Sequence, residues 1–317
     1  MNTGTRQSPL VIYHSNCADG FTAAWAVRKR FGDDAEYVAA VHQAPPPDVS
    51  GRDVILVDFC YKPEALRTMS FAARSILVLD HHKSAAADLP QEWRTNSEFL
   101  TTIRMDGPHW IAPTTWEYFQ ACVLQDQYEG IGRAIVYALF DMERSGAGIA
   151  WDFFHPGVAR PALINHVEDR DLWRFALPGT REIQAAVFSY PYEFEVWDAL
   201  AGARLDFLRE QGEAIERKHH KDVAELVGVC RRRMVIAGYD VPVASLPYTL
   251  TSDAGHLMAQ GEPFAACYWD TNEGRCFSLR AADEGMDVSV IAALFGGGGH
   301  AKAAGFRVPR DHDLARA

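Results

Sequence analysis

Within the first 85 residues, four apolar runs, PLVIYH (9–14), YVAAV (37–41), VILVD (54–58) and SILVLD (75–80), are separated by stretches of helical spacing. The runs are continuous rather than alternating, as strands buried on both faces require. Between the first two, FTAAWAVRKRF (21–31) puts Phe21, Ala24, Trp25 and Phe31 on one helical face, with Arg28 breaking the stripe. Pro45-Pro46-Pro47 marks a loop, and Pro63 stands where the helix EALRTMSFAAR can begin. Buried strands alternating with amphipathic helices predict an α/β fold, a parallel sheet covered on both faces.

Further along, TTWEYFQACVLQ (114–125) and GIGRAIVYALFDMERSG (130–146) are expected to be helices, as is ARPALINHVEDRDLWRF (159–175), which ends near an acidic cluster. Residues 202–227 are highly charged yet carry Leu205, Leu208, Ile215, Val223 and Leu226, the pattern of a long linking helix. His219-His220 within it reads as solvated surface. The pattern then turns strand-rich, with RMVIAGY (233–239), VPVASL (241–246), FAACYWD (264–270) and CFSLRAA (276–282), followed by the helix DVSVIAALF (287–295) and the loop GGGGHAKAAGF (296–306). The expected organisation is an N-terminal parallel-sheet domain over 1–200, a linking helix over 201–230 and a smaller α/β domain over 231–317.

Three of the expected parallel strands end alike. The first ends in His14 and runs into SNCADG, where Asp19 precedes a helix; the second ends in Asp58; the third ends in Asp80-His81-His82. In an open α/β sheet, ligands bind beyond the carboxyl ends of the strands. Carboxylates gathered there repel one another, and divalent cations relieve the repulsion. Mixed His and Asp donors suit manganese, iron or zinc, whereas carboxylates alone suit magnesium. Taken singly, Asp19 serves equally well as a helix N-cap. The coincidence of three strands, one edge and the right residue types favours a metal site.

In GGGGHAKAAGF, four glycines permit a tight loop whose N–H groups approach an anion closely. His300 and Lys302 add donors, and Arg280 at the end of a strand can join them. The segment lacks the Lys-Ser/Thr ending of a P-loop.

Charge narrows the partners. Lysine and arginine total 31 against 42 acids, a net charge of −11. Binding to long nucleic acid calls for a broad basic surface, so metal-dependent work on a small phosphate compound fits better. No apolar stretch approaches the roughly 18 residues of a membrane span, and the N-terminus lacks a signal-peptide core. A cytoplasmic protein without a membrane partner is expected. The six cysteines form no C-x-x-C pair, which argues against a zinc knuckle and a disulfide framework. Five are expected to be buried; Cys17 lies in the first site motif.

These motifs resemble a family. VLDHHKS is similar to the signature of the DHH phosphoesterases, and FGGGGHAKAAGF to the glycine-rich signature of their DHH-associated C-terminal domain. HSNCADGFTAA resembles the first family motif, VDFCYKP the second and EDRDLWRF the fourth. The likeness covers about 9–85, 160–175 and 230–307, with no match over 86–158.

The resemblance implies a two-domain enzyme with two manganese ions, or magnesium or another divalent ion in their place, in a cleft between the domains. By motif position, Asp58 would bridge both ions, His14 would bind one, and Asp19, His81 and Asp169 the other, with Asp171 also available. His82 would contact the phosphate and Asp80 would orient its neighbours. Arg280, Gly296, Gly297, Gly298, Gly299 and His300 would hold the substrate. The first family motif usually carries two aspartates one residue apart, and here the earlier one is Cys17. A thiolate is a softer donor than a carboxylate, so this metal position is expected to be weaker, to prefer another ion or to lean on His14, with the Asn16 oxygen nearby.

The expected function is therefore phosphoester hydrolysis by two-metal attack of water on phosphorus. The resemblance implies oligoribonucleotides, linear or cyclic dinucleotides, or 3′-phosphoadenosine 5′-phosphate as substrates. The rival readings are a single-strand DNA exonuclease of RecJ type and a non-catalytic nucleotide sensor. Oligomeric state is not legible.

Overall fold

The computed structural model describes residues 7–41, 44–89, 115–128 and 132–317. The described residues form two compact units, one within 1–82 and 86–212, the other within 83–85 and 213–317. The division falls inside the long helix, between residues 212 and 213.

The N-terminal unit is built on a five-stranded sheet. Its strands are β1 (Leu10–His14), β2 (Glu36–Ala40), β3 (Asp53–Val57), β4 (Ser75–Asp80) and β5 (Val136–Phe140). They run in the order β2-β1-β3-β4-β5, and every pairing is parallel. Val54, Ile55, Leu56 and Val57 on central β3 are fully buried, each contributing about 1.5–3 kcal/mol. The runs of β1, β3 and β4 are thus largely buried, as expected, whereas β2, at the sheet edge, is half-exposed.

The helices are α1 (Ala18–Phe31), α2 (Pro63–Ala72), α3 (Lys83–Asp88), α4 (Trp116–Tyr128), α5 (Gly146–Phe154), α6 (Ala162–Asp171), α7 (Thr180–Phe188), α8 (Phe194–Gly202) and α9 (Leu205–Cys230). Pro63 opens α2, where its fixed φ suits the first turn and its missing N–H costs nothing. On α1, Phe21 packs edge-on against Trp197 with ring centroids 4.8 Å apart, and Trp25 donates from Nε1 to Asp198 Oδ1 at 2.9 Å. Trp197 in turn donates to Thr22 Oγ1 at 2.9 Å. Alpha-one is thereby fixed from its far side, so its N-terminal residues hold their place beside the strand ends.

The expected helix over 130–146 is corrected. Residues 136–140 are the edge strand β5, and a helix starts only at Gly146. A short apolar run such as VYALF has no periodicity that separates a buried strand from a buried helix. Beta-four offers it a partner, with Val78 opposite Ala138 and Asp80 opposite Phe140.

The C-terminal unit carries a six-stranded mixed sheet in the order β10-β11-β9-β8-β7-β6. Its strands are β6 (Arg232–Ile236), β7 (Tyr239–Ser245), β8 (Ala265–Thr271), β9 (Gly274–Arg280), β10 (Gly298–Gly299) and β11 (Ala303–Val308), with helices α10 (Thr251–Met258) and α11 (Val288–Ala293). Only β7 and β8 pair in parallel. Two further expectations change. Cys60 and Cys267 are buried, whereas Cys122, Cys230 and Cys276 are half-buried because each sits at the margin of its element's packed face. His219 is not simply solvated: its Nε2 lies 2.9 Å from Asp253 Oδ2, while His220 is exposed beside Glu216. Among the described residues, no helix is long and apolar enough to cross a membrane.

Candidate metal centre

Adjacency of β1, β3 and β4 is what gathers the site. Each strand delivers its last side chain, or the next one, to the same sheet edge. Asp58 directly follows β3 at φ 51, in the left-handed region, where Asp is tolerated but strained. Its N–H donates to Leu79 O at 2.9 Å, so the carboxylate is set by the neighbouring strand. Asn16, at φ 53, turns the chain between β1 and α1.

Around Asp58 lie His14, with Nδ1 3.5 Å from Oδ2, and His81, with Nε2 3.1 Å from Oδ1. The same His81 nitrogen is 3.7 Å from Asp19 Oδ2 and 3.5 Å from Asp171 Oδ2. Asp80 Oδ1 accepts from the His81 N–H at 2.8 Å and the His82 N–H at 3.3 Å, and lies 2.7 Å from His82 Nδ1. That contact fixes the orientation of the His82 ring, with Nδ1 facing the Asp80 carboxylate.

Asp19 is held by a helix it precedes by more than a hundred residues. Gly146 N–H donates to Oδ2 at 2.6 Å and Ala147 N–H to Oδ1 at 3.0 Å, so the carboxylate sits on the N-terminus of α5. Glycine is required at 146, because a Cβ there would lie 2.5 Å from Asp58 Cβ. Ser145 caps the same helix, its Oγ accepting from Gly148 N–H at 3.2 Å. Sequence reading found no chemistry in this segment. Its signal was the Ser-Gly-Ala-Gly run, small residues where backbone must approach closely.

Asp169, expected among the metal ligands, is placed in a different setting from Asp19 and His81. Its carboxylate accepts from Ala176 N–H at 2.8 Å, Leu177 N–H at 3.0 Å and Thr180 Oγ1 at 2.6 Å, and so folds the turn after α6. Asp171, at the last turn of α6, is the acid beside His81.

Within the N-terminal unit, three clusters bring their donor atoms within 4.8 Å of one another: His14, Cys17 and Asp58; Asp19, His81 and Asp171; and Asp58, Asp80 and His82. Burial, then the charges of Asp58 and Asp171, push the Asp19 carboxyl well above its usual range, and burial with Asp58 raises Asp171. Burial opposes the charge on Asp58, but the His14 and His81 imidazoles beside it outweigh it and hold this carboxyl well below the usual range. Burial likewise opposes charge on His81, yet Asp58, Asp171 and Asp19 hold the imidazole well above its ordinary value. Burial and the same three carboxylates push the Cys17 thiol well up. Without a cation, protons do the neutralising. Asp58 Oδ2 and Asp80 Oδ2 are buried and make no hydrogen bond among the described residues. A buried carboxylate oxygen without a donor is costly, and a cation satisfies it. The donor set fits divalent ions.

In the C-terminal unit, Arg280 ends β9 and donates to Ser252 Oγ at 2.7 Å, Ser278 Oγ at 3.0 Å and Leu279 O at 2.9 Å. The glycine run forms a tight hairpin: Gly298 pairs with Gly305 and Gly299 with Ala304. Gly297 lies so near that a Cβ would fall 2.1 Å from Gly305 O. Gly296 takes φ 75 just after α11, and His300 N–H donates to Ala303 O at 2.8 Å. Ala303 stands opposite Arg280, which brings the hairpin and the guanidinium onto neighbouring strands. Close packing alone thus accounts for several of these glycines.

No family model matches the chain. An uncharacterized protein of Acanthamoeba polyphaga mimivirus is 27% identical over 94% of this chain and 67% of its own length. Solved structures similar to this chain include a pGpG-specific phosphodiesterase from Vibrio cholerae (15% identical, covering 97% of this chain and 95% of that one, TM-score 0.43). An exopolyphosphatase-related protein from Bacteroides fragilis is 13% identical over 98% and 90% of the two chains, with a TM-score of 0.46. RecJ from Thermus thermophilus, in complex with Mn2+, is 12% identical over 96% and 50%, with a TM-score of 0.42.

Proposed function

We propose that this chain is a metal-dependent phosphoesterase of the DHH family, acting on short oligonucleotides, dinucleotides or related nucleotide phosphates. The observation that carries the reading is the buried carboxylate Asp58, one oxygen without a hydrogen bond, between two imidazoles and the Asp19–Asp171 pair. Asp58 would be shared between two ions, His14 and Cys17 would complete one position, and Asp19, His81 and Asp171 the other. When bound, divalent ions of the manganese or magnesium class supply Lewis acidity to the phosphoryl oxygens and make water a better nucleophile.

The chain's own groups do the rest. Asp80 holds the His82 imidazole through Nδ1, so Nε2 would face a phosphate oxygen or the leaving group and donate to it when the ring is cationic. Asp19, anchored on two backbone N–H groups, stays in place as charge develops. Arg280, the hairpin glycines Gly296 to Gly299 and His300 would bind the substrate's base or a distal phosphate.

The net charge of −11 favours a small substrate over a long strand. The test offers end-labelled RNA and DNA from dinucleotides to long oligomers, with and without manganese. Dinucleotides should be hydrolysed fastest, and only with metal. Equal or faster degradation of long DNA would instead make the chain a processive exonuclease. Tight nucleotide binding without turnover would make it a sensor.

A further inference from the structure

We propose that His14, Cys17 and Asp58 form a thiolate-containing position selective for a thiophilic divalent ion of the zinc and cobalt class, chemically unlike the Asp19, His81 and Asp171 position beside it. The inference rests on the metal-centre reading above and deepens it: the two ions are not interchangeable.

The geometry supplies the first support. The His14 nitrogen, the Cys17 sulfur and an Asp58 oxygen all lie within 4.8 Å of one another, without any other residue contributing. Cys17 forms no disulfide and is half-buried, so its sulfur is neither consumed structurally nor sealed from an entering ion. It stands at the N-cap of α1 and makes no capping hydrogen bond through its side chain. The left-handed turn at Asn16 brings it back toward His14.

An independent observation points to a ligand at this place. Asp58 is 1% exposed, and its Oδ2, the oxygen on the His14 side, makes no hydrogen bond. An oxygen buried in that way awaits a cation. What distinguishes the two positions is donor chemistry. Asp19, His81 and Asp171 offer two carboxylates and one imidazole, a hard set that accepts manganese or magnesium. Nitrogen, sulfur and oxygen together shift the preference toward zinc and cobalt, since thiolate is the softest donor available to a protein. On ligation the Sγ–H proton passes to solvent and nothing is oxidised or reduced.

The experiment strips the full-length protein with chelator and titrates it with cobalt(II), following absorption. Wild type should develop a near-ultraviolet thiolate-to-cobalt band that saturates at a single equivalent. Cys17→Ser and Cys17→Asp should lack that band yet keep the weaker visible bands of cobalt at the neighbouring position. Circular dichroism checks their fold, and the aspartate variant, which keeps an anionic donor, serves if the serine variant does not fold. Elemental analysis after dialysis against equal zinc and manganese should find zinc retained by wild type and a ratio moved toward manganese in Cys17→Asp. A near-ultraviolet band undiminished in the variants, or absent from wild type that binds cobalt, overturns the thiolate position and leaves the metal centre standing. Wild type that binds no cobalt at all overturns both.

Discussion

Asp58 accepts a left-handed backbone conformation that costs about 1–3 kcal/mol, and the neighbouring strand holds it there through Leu79 O. Strain of this kind persists where the surrounding structure over-determines it, and here three strand ends do so. The same logic separates the two acids of the fourth motif. Asp169→Asn should lower stability by about 1–3 kcal/mol, because an amide cannot accept all three bonds from Ala176, Leu177 and Thr180. Metal affinity should stay near wild type. Asp171→Asn should leave stability within about 0.5 kcal/mol of wild type or above it, since it removes a charge from a crowded acidic cluster, while manganese affinity falls by at least the roughly ten- to hundredfold typical of outer-shell partners. Denaturant melts with calorimetric metal titrations separate the two; the opposite assignment of effects would restore Asp169 as the ligand. Residue identity was legible where it followed strand ends: His14, Asp58, Asp80, His81 and His82 are all at the edge the sequence pattern indicated. The choice between Asp169 and Asp171 was not, because two acids two residues apart on a helix end differ only in where the next turn goes.

At the scale of elements, the site depends on α5 meeting β3 without side chains between them. Gly146→Ala would put a methyl group against Asp58 Cβ, and neither backbone can retreat. Overpacking of this sort costs about 1–3 kcal/mol, and displacement of Asp19 and Asp58 should remove metal binding with it. Gly228, in α9, has nothing within 4 Å of where a Cβ would stand. Gly228→Ala should therefore raise stability by about 0.5–1 kcal/mol through helix propensity alone. Thermal melts of the two variants should move in opposite directions, and parallel shifts would contradict the packing argument. Strand β5 and helix α5 were the least legible elements. The run VYALF carries no period, and the contact between Asp19 and the Gly146 N–H joins residues 127 apart in sequence. Helical period, by contrast, gave α1 and α9 directly, because each presents a stripe to a core.

Over the molecule as a whole, charge and protons would couple to a bound cation. His81 and His14 titrate above the ordinary histidine value, so the stability they contribute is complete below about pH 6.5 and is lost as pH rises through their raised values. Asp19 and Asp171 are raised too, and their mutual repulsion grows as each loses its proton. Asp58 and Asp80 run the other way: their contribution is present above the usual carboxylate range and is lost in acid. Metal-free protein should thus weaken from neutral pH upward, where deprotonated ligands bind cations best. The rise in melting temperature on adding manganese should be larger at about pH 8 than at about pH 6, with about 2.7 kcal/mol gained at a hundredfold excess over Kd. An equal or smaller shift at the higher pH would mean that these groups do not face the ion.

The most direct measurement of the central claim is the initial rate of dinucleotide hydrolysis by chelator-treated protein, by manganese-reconstituted protein and by reconstituted Asp58→Ala of verified fold. Turnover should appear only in reconstituted wild type and fall more than about a hundredfold in the variant, beyond what outer-shell substitutions cost. Hydrolysis that survives chelation, or near-wild-type turnover by a folded Asp58→Ala protein, would contradict a metal-dependent phosphoesterase centred on Asp58.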